Sequence, residues 1–123
     1  MDRTNRKNMS DMAHLEFDEA CFEPILSGEK TCAIRYGLED HIEAGDKVVC
    51  TLDRVPFAVA RIEDRAPRPV QAALRVARSN GWTHGAENTE DLLDRLNARC
   101  GRQIEAHHYV DVLGMDVVAG ASQ

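Results

Sequence analysis

Apolar positions recur along the chain with two different periods, and these periods predict a mixture of strands and helices. Leu15 and Phe17 indicate a short strand at the start of the fold. A period of two indicates strands at residues 30–36 and 57–62, and further strands are expected at residues 47–52, after the turn at Gly45-Asp46, and at residues 109–118. Strands that follow one another this quickly favour a sheet that curls.

Three segments have the apolar spacing of amphipathic helices, each with capping or stop residues at its ends. The predicted helices follow Asp18 up to Gly28, run from Pro69 through Ser79, and follow Asn88 or Thr89 up to Gly101. The residues predicted to face the core are Phe22, Ile25 and Leu26, then Val70, Ala73, Leu74 and Ala77, and finally Leu92, Leu93 and Leu96.

The order of these elements predicts an α+β fold whose sheet is partly closed into a barrel. A chain of 123 residues has room for one domain, which we place at residues 14–118. Residues 1–13 are polar and lack periodicity, so we expect a mobile leader, and residues 119–123 are expected to form a frayed tail. The pairing of the strands stays open, because no turn signal such as Asn-Gly stands between two predicted strands to fix their register.

Charge and cysteine content narrow the classes of function. Fifteen Lys plus Arg against 21 Asp plus Glu give a net charge of −6, which argues against coating of long nucleic acids by bulk attraction. Any contact with nucleic acid should therefore be local. The four cysteines form no CxxC pair, and no run of about 18 apolar residues occurs. We expect a cytoplasmic protein with reduced thiols and no contact with a membrane.

The segment Gly28–Arg35 combines the end of a helix with two cations that lie five residues apart. Lys30 offers a mobile point charge with three donors, and Arg35 offers a planar fork that suits a phosphate or a base. Together they fit a nucleotide better than a metal ion. The period of two predicts a packing face of Cys32 and Ile34 and a ligand face of Thr31, Ala33 and Arg35.

This segment also resembles the motif of a known family. Gly28, Lys30 and Arg35 match the pattern G-x-K-x-x-E-x-R of the ASCH domain in the PUA-like superfamily, and the flanking residues 25–27 and 44–46 are similar as well. The resemblance extends over about residues 15–118 in element order and is closest to short bacterial members that hydrolyse acetylated cytidine. It implies a small β-barrel-like mixed sheet with flanking helices, and a cleft at the motif for RNA or a modified nucleoside, without a cofactor.

One position departs from the family pattern. Where the family has Glu, or Thr in the amidohydrolase branch, this chain has Ala33, whose methyl group cannot attack, donate or accept. In that branch catalysis is attributed to the motif Lys, which Lys30 matches, to this Thr and to a later Glu. That later position falls near Ser79 here, so the departure argues against inherited amidohydrolase chemistry.

Two main hypotheses follow. The first is a binding module for RNA or a nucleoside, with Gly28, Lys30, Thr31, Arg35, Arg75, Arg78 and Ser79 as its ligand-binding residues. Arg75 and Arg78 enter because they share a helix face within a locally basic stretch. The alternative is a hydrolase of acetylated cytidine or of RNA, in which Thr31 is the nucleophile and a desolvated Lys30 is its base. A partner-binding domain with a vestigial cleft is a third reading.

Histidine and tryptophan residues add little to either hypothesis. His107 and His108 are adjacent on a predicted strand end and would point to opposite faces, so no metal site is expected. Trp82 lies in a loop between two glycines and is the best candidate for stacking on a base. The sequence leaves the oligomeric state undetermined.

Overall fold

The computed structural model describes residues 12–38 and 42–120, which form an α+β unit. Its strands are β1 (Ala13–Phe17), β2 (Cys32–Arg35), β3 (Lys47–Leu52), β4 (Val55–Pro69) and β5 (Tyr109–Gly120). Its helices are α1 (Glu19–Ser27), α2 (Val70–Ser79) and α3 (Thr89–Cys100). The predicted leader, apart from residues 12 and 13, lies outside the described residues, and so do residues 121–123 of the predicted tail.

The five described strands form one sheet in the order β1-β3-β4-β5-β2. β1 and β3 pair in parallel, whereas the other neighbours are antiparallel. In the edge strand β2, Arg35 donates a hydrogen bond of 2.8 Å to the backbone oxygen of Glu16 in the opposite edge strand β1. The two edges therefore approach one another, and the predicted curled, partly closed sheet is confirmed.

Apolar side chains cover both faces of this sheet. In β5, Leu113 and Met115 belong to a buried cluster inside the curl, which α1 covers, whereas Val110 and Val112 pack towards α2 and α3. Ala33 in β2 is fully buried in the cluster inside the curl. The expectation that Ala33 faces a ligand is therefore wrong, because neither face of β2 is left open at this position. The predicted core position of Cys32 is confirmed.

The helices follow the predicted pattern closely. α2 buries Val70, Ala73, Leu74 and Ala77 as expected. α3 begins after Asn88, whose side chain accepts a hydrogen bond from the amide of Asp91 at 2.9 Å. Leu26 in α1 was expected to face the core but is 41% exposed, because the short helix buries only the stripe around Ile25. No helix in the described ranges is long and apolar enough to cross a membrane.

The hairpin between β3 and β4 has a turn that lacks glycine. Asp53 and Arg54 both have positive φ, at 52° and 67°, which is the geometry of a tight two-residue hairpin turn. The carboxylate of Glu16 accepts hydrogen bonds from the amides of both residues, at 2.6 and 3.1 Å, and from the hydroxyl of Thr51 at 2.6 Å. This carboxylate stabilises a turn that these residue types rarely adopt alone.

β4 continues seven residues beyond the predicted strand, to Pro69. Its pairing with β5 changes register between Val59 and Ala60 and again between Ile62 and Asp64. These irregularities interrupt the alternation of apolar and polar residues, so the period of two that predicts a strand is lost after Ile62. Beyond this point the backbone still forms ladder hydrogen bonds with β5 although its side chains are mostly exposed.

Candidate functional site

Lys30 is buried because of the way the chain leaves α1. Gly28 ends the helix with a φ of 85°, a conformation that glycine adopts without strain. The chain then turns back, and the amide of Lys30 donates to the backbone oxygen of Pro24 at 2.9 Å. The side chain of Lys30 is consequently directed inwards, with the residue 7% exposed, and its Nζ donates to the backbone oxygen of His84 at 2.6 Å.

Thr31 attaches the loop that carries His84. Its amide donates to the backbone oxygen of Thr83, and the amide of Thr83 donates to the Oγ1 of Thr31, both at 2.9 Å. On the other side, the amide of Met115 donates to the backbone oxygen of Thr31. Two residues earlier than His84, Trp82 packs directly on β5, where a Cβ added to Gly114 would lie 2.3 Å from the indole ring. The loop is thus held at successive residues.

Two cavities meet at Lys30. A wide cleft of about 350 Å³ lies between α1, the loop at residues 83–85 and α3. A small chamber of about 40 Å³ adjoins it between α1, β2 and α3. Four residues line both cavities, namely Cys21, Lys30, His84 and Arg95. The wide cleft and the small chamber are therefore adjacent, and the Lys30 side chain lines both.

Four cationic side chains converge on the small chamber: Lys30, Arg35, Arg95 and Arg99. Among the described residues that line it, Asp18 supplies the one carboxylate, and that side chain is 78% exposed. Arg35 and Arg99 are held in place by the same neutral acceptor, the backbone oxygen of Glu16, at 2.8 and 2.9 Å. This backbone oxygen orients both guanidinium groups without neutralising them, and the exposed Asp18 offsets the charge of Arg99 only weakly.

The burial of the site shows in the pKa values of its cations. Burial, with smaller contributions from neighbouring arginines, lowers the pKa of Lys30 from 10.5 to about 8 and that of Arg35 from 12.5 to about 10. Burial, followed by the charge of Lys30, lowers the pKa of His84 to about 3. His84 is therefore a neutral imidazole. Its Nδ1 accepts from the amide of Ala86 at 3.2 Å, which assigns the ring proton to Nε2.

The structure brings some of the predicted site residues together and leaves others apart. Lys30 and Arg35 line the same chamber, and Gly28 positions Lys30 from outside it. Thr31 lines neither cavity, because its hydroxyl faces the backbone of Thr83. The predicted residues of α2 also lie outside both cavities, and they are Arg75, Arg78 and Ser79.

The contacts of these α2 residues are local. Arg78 donates to the backbone oxygen of Glu87 at 3.2 Å, at the far end of the His84 loop, and Ser79 donates to the backbone oxygen of Val76 in its own helix. Arg75 is exposed. That these three residues bind a ligand stays a prediction. Only a ligand that extends well beyond the two cavities could reach them.

Sequence reasoning missed Arg95, Arg99 and His84. A signal for the two arginines exists, because they lie four residues apart on α3 and follow Leu92 and Leu96 by three residues each. Their side chains therefore form a stripe beside the buried stripe of the same helix. No comparable signal exists for His84, whose role depends on the contact between a loop and a residue 54 positions earlier.

Two other features of the described surface lack the converging cations found at Lys30. A larger concavity of about 850 Å³ adjoins the β3–β4 turn, but its central carboxylate, Glu16, is already occupied by three hydrogen bonds. The rings of His107 and His108 lie 4.5 Å apart, and no group of three potential metal ligands occurs within residues 12–38 and 42–120.

Comparison with known proteins identifies the fold through solved structures. No family model and no curated protein matches the sequence. Protein EF3133 from Enterococcus faecalis V583, of family-model DUF984, is similar with a TM-score of 0.66 and 16% identity over 85% of this chain and 73% of that one. An ASCH domain from Lactobacillus crispatus JV V101 is similar with a TM-score of 0.57 and 16% identity over 81% and 71%.

The chain has the fold of an ASCH domain. A hypothetical protein, PH0355, has the same architecture, with a TM-score of 0.59 and 14% identity over 85% of this chain and 97% of that one. The PUA-like ASCH fold expected from the motif Gly28, Lys30 and Arg35 is thus confirmed. Identities of this size concern the fold, so the ligand of this ASCH-fold chain has to be argued from its own site.

Proposed function

We propose that this ASCH-fold chain binds a nucleoside unit, either a free modified nucleoside or part of an RNA, in the wide cleft beside Lys30. The supporting observation is the convergence of four cationic side chains on the small chamber that adjoins this cleft, in a chain with a net charge of −6. A local positive site in an acidic protein attracts a short polyanionic segment without coating long ones. The cleft volume of about 350 Å³ also suits a ligand of nucleoside size.

The polar groups of the cleft match the edge of a nucleobase. The ammonium of Lys30 carries three donors, and His84 is its hydrogen-bond acceptor among the described residues, so donors remain for a base carbonyl or ring nitrogen. The Nε2–H of His84 adds a neutral donor beside them. Arg95 lines the same cleft and offers a planar face for stacking or a fork for phosphate.

The proposal is tested by measuring the equilibrium binding of cytidine, N4-acetylcytidine and short single-stranded RNA at fixed ionic strength. Lys30→Met should weaken binding about tenfold or more, because it removes a charge-assisted hydrogen bond from a buried position, and Arg95→Gln should weaken it by a smaller factor of about three or more, because Arg95 is half exposed. Arg78→Gln is expected to weaken binding only of RNA long enough to reach α2. Melting temperatures of all variants identify any loss of folding.

Arg61→Gln is the matched control. Arg61 is exposed in β4 and lines neither cavity, yet its substitution changes the net charge by the same amount. Its binding should stay within about twofold of the original chain. Equal losses in Arg61→Gln and Arg95→Gln would show that overall charge governs binding, and the cleft assignment would then be wrong.

Hydrolysis of acetylated cytidine, or of RNA, is the second candidate function. One observation favours it: a pKa of about 8 lets Lys30 accept a proton near neutral pH, as a general base must. Two observations count against it, since Ala33 lies in the core and the hydroxyl of Thr31 is directed to Thr83 rather than to either cavity.

Product analysis separates the two candidates. The chain is incubated with N4-acetylcytidine and with RNA, and the products are resolved by chromatography. Turnover that Lys30→Met abolishes and that Arg61→Gln retains would establish the hydrolase. Tight binding without turnover on either substrate would leave the chain a binding module.

A further inference from the structure

The small chamber differs from the wide cleft in size and in charge. Its lining has four cations and one exposed carboxylate, which leaves an excess of three positive charges among the described residues. The wide cleft is lined by two of the same cations, Lys30 and Arg95, and by Glu29, which leaves an excess of one. Positive charge is therefore concentrated at the chamber rather than spread over the site.

Three of the four cations of the chamber, Lys30, Arg35 and Arg99, are held mainly by groups that do little to neutralise them. Arg35 and Arg99 donate to a backbone oxygen. The ion pair between Arg99 and Asp18 is 3.5 Å long, and a pair with so exposed a carboxylate is weak. Arg95 is paired with Asp91, which does not line the chamber, at 3.2 Å, and this carboxylate partly offsets its charge. The attraction of the chamber for an anion therefore rests mainly on Lys30, Arg35 and Arg99.

The size of the chamber restricts which anion fits. A volume of about 40 Å³ accommodates roughly three water-sized groups, which corresponds to the terminal oxygens of one phosphoryl group. Arginine forks recognise such oxygens through paired hydrogen bonds, and a doubly charged monoester offsets the excess charge better than a singly charged diester. A neutral sugar or base would leave the converging charges unpaired.

We propose that the small chamber binds the terminal phosphate of a nucleotide or of an RNA end, so that the site selects a phosphorylated nucleoside over the neutral one. The proposal rests on the proposed function, since the nucleoside part occupies the wide cleft. Lys30 lines both cavities and would contact both parts of the ligand. Arg99, which lines the chamber and not the cleft, is the residue whose substitution separates the two contributions.

The test compares cytidine 5′-monophosphate, cytidine and inorganic phosphate by titration calorimetry at constant ionic strength. The monophosphate should bind about tenfold or more tightly than cytidine, in keeping with added charge-assisted hydrogen bonds. Arg99→Gln should reduce this ratio to about two or less while cytidine affinity changes less than about threefold. Arg99→Lys, which restores the charge, should recover part of the ratio, and Arg61→Gln should leave it unchanged.

The outcomes distinguish this inference from the proposed function. If cytidine and its monophosphate bind equally well, the chamber proposal is wrong and the function stands. If inorganic phosphate and the monophosphate bind equally tightly and in an Arg99-dependent way, while cytidine does not bind, the chamber stands and the nucleoside function of the wide cleft fails. If none of the three binds, both fail. Should Arg99→Gln prove unstable, the affinity for inorganic phosphate decides the matter, because it does not depend on the nucleoside: Arg95→Gln should weaken it severalfold, and an unchanged affinity would contradict the chamber proposal.

Discussion

The ammonium group of Lys30 donates a hydrogen bond of 2.6 Å to the backbone oxygen of His84. This contact joins the segment after α1 to the loop before α3, which are 54 residues apart in sequence. A lysine that is both buried and hydrogen-bonded to a neutral group keeps its charge at a cost, and this cost makes several properties of the chain depend on pH.

Folding stability should depend on the titration of Lys30. Its pKa is about 8 when folded and 10.5 as an isolated group, so between these values the unfolded chain binds more protons and the free energy of unfolding rises with pH. Lys30→Met lacks this rise. The free energy of unfolding of the original chain, minus that of Lys30→Met, should increase by about 2 kcal/mol between pH 7.5 and pH 10. Urea denaturation at both pH values measures it, and a constant difference would contradict the burial of a charged Lys30.

His84 should stay neutral in weakly acidic solution. Burial and the charge of Lys30 lower its pKa to about 3, so its ring carbon resonances should not shift between pH 8 and pH 5. The resonance is assigned by its absence in His84→Gln. A titration midpoint near pH 6.5 would show that the His84 ring is accessible to water and that it does not lie in a buried, positively charged site. In the unfolded chain His84 takes up its proton at a higher pH than in the folded chain. The free energy of unfolding should therefore also fall as pH drops below 6.5.

Thr31 offers a test between support of the loop and direct contact with a ligand. Thr31→Val removes the acceptor for the Thr83 amide and should lower the free energy of unfolding by about 1 kcal/mol. Thr31→Ser retains the acceptor and should be nearly neutral. If Thr31→Val abolishes ligand binding while stability is unchanged, the hydroxyl acts on the ligand, and the role predicted from the sequence motif is correct.

Glu16 should stabilise the β3–β4 hairpin. Its three hydrogen bonds, that with Thr51 first, hold the pKa of this carboxyl below its usual range. A lowered folded pKa means that the stabilisation is present above the unfolded value, near 4.5, and is lost as pH falls through the folded value. Glu16→Gln should cost about 1 to 2 kcal/mol at pH 7 and less at pH 3. Chemical denaturation at the two pH values checks this, and an equal cost at both would mean that the charge of Glu16 plays no part.

Elements with local signals could be predicted from the sequence. Residues 70–79 and 89–100 have apolar stripes and end signals of their own, and both helices form where expected. Gly28 fixes the end of α1 because a left-handed residue is needed there. The turn after Gly28 directs Lys30 inwards, but the burial of Lys30 also depends on the His84 loop 54 residues later, so the motif indicated this segment and not its buried surroundings.

Features that depend on distant contacts could not be predicted. β2 pairs with β5 rather than with the strand that follows it, and this partner lies about 80 residues later. The turn at Asp53 and Arg54 has no glycine, because Glu16, far away in sequence, supplies its stabilising contacts. Arg75 and Arg78 have the same charge and similar spacing to Arg95 and Arg99, and only the packing of α3 beside the cleft distinguishes the two pairs.

The contact between Trp82 and Gly114 gives the chain a natural optical reporter. Trp82 is the chain's one tryptophan, and its ring lies against β5 two residues before His84. Fluorescence from the unlabelled protein therefore arises next to the wide cleft. Ligand binding that shifts the His84 loop would alter the polarity and quenching around this single indole, so occupancy of the cleft could be followed in real time by emission alone.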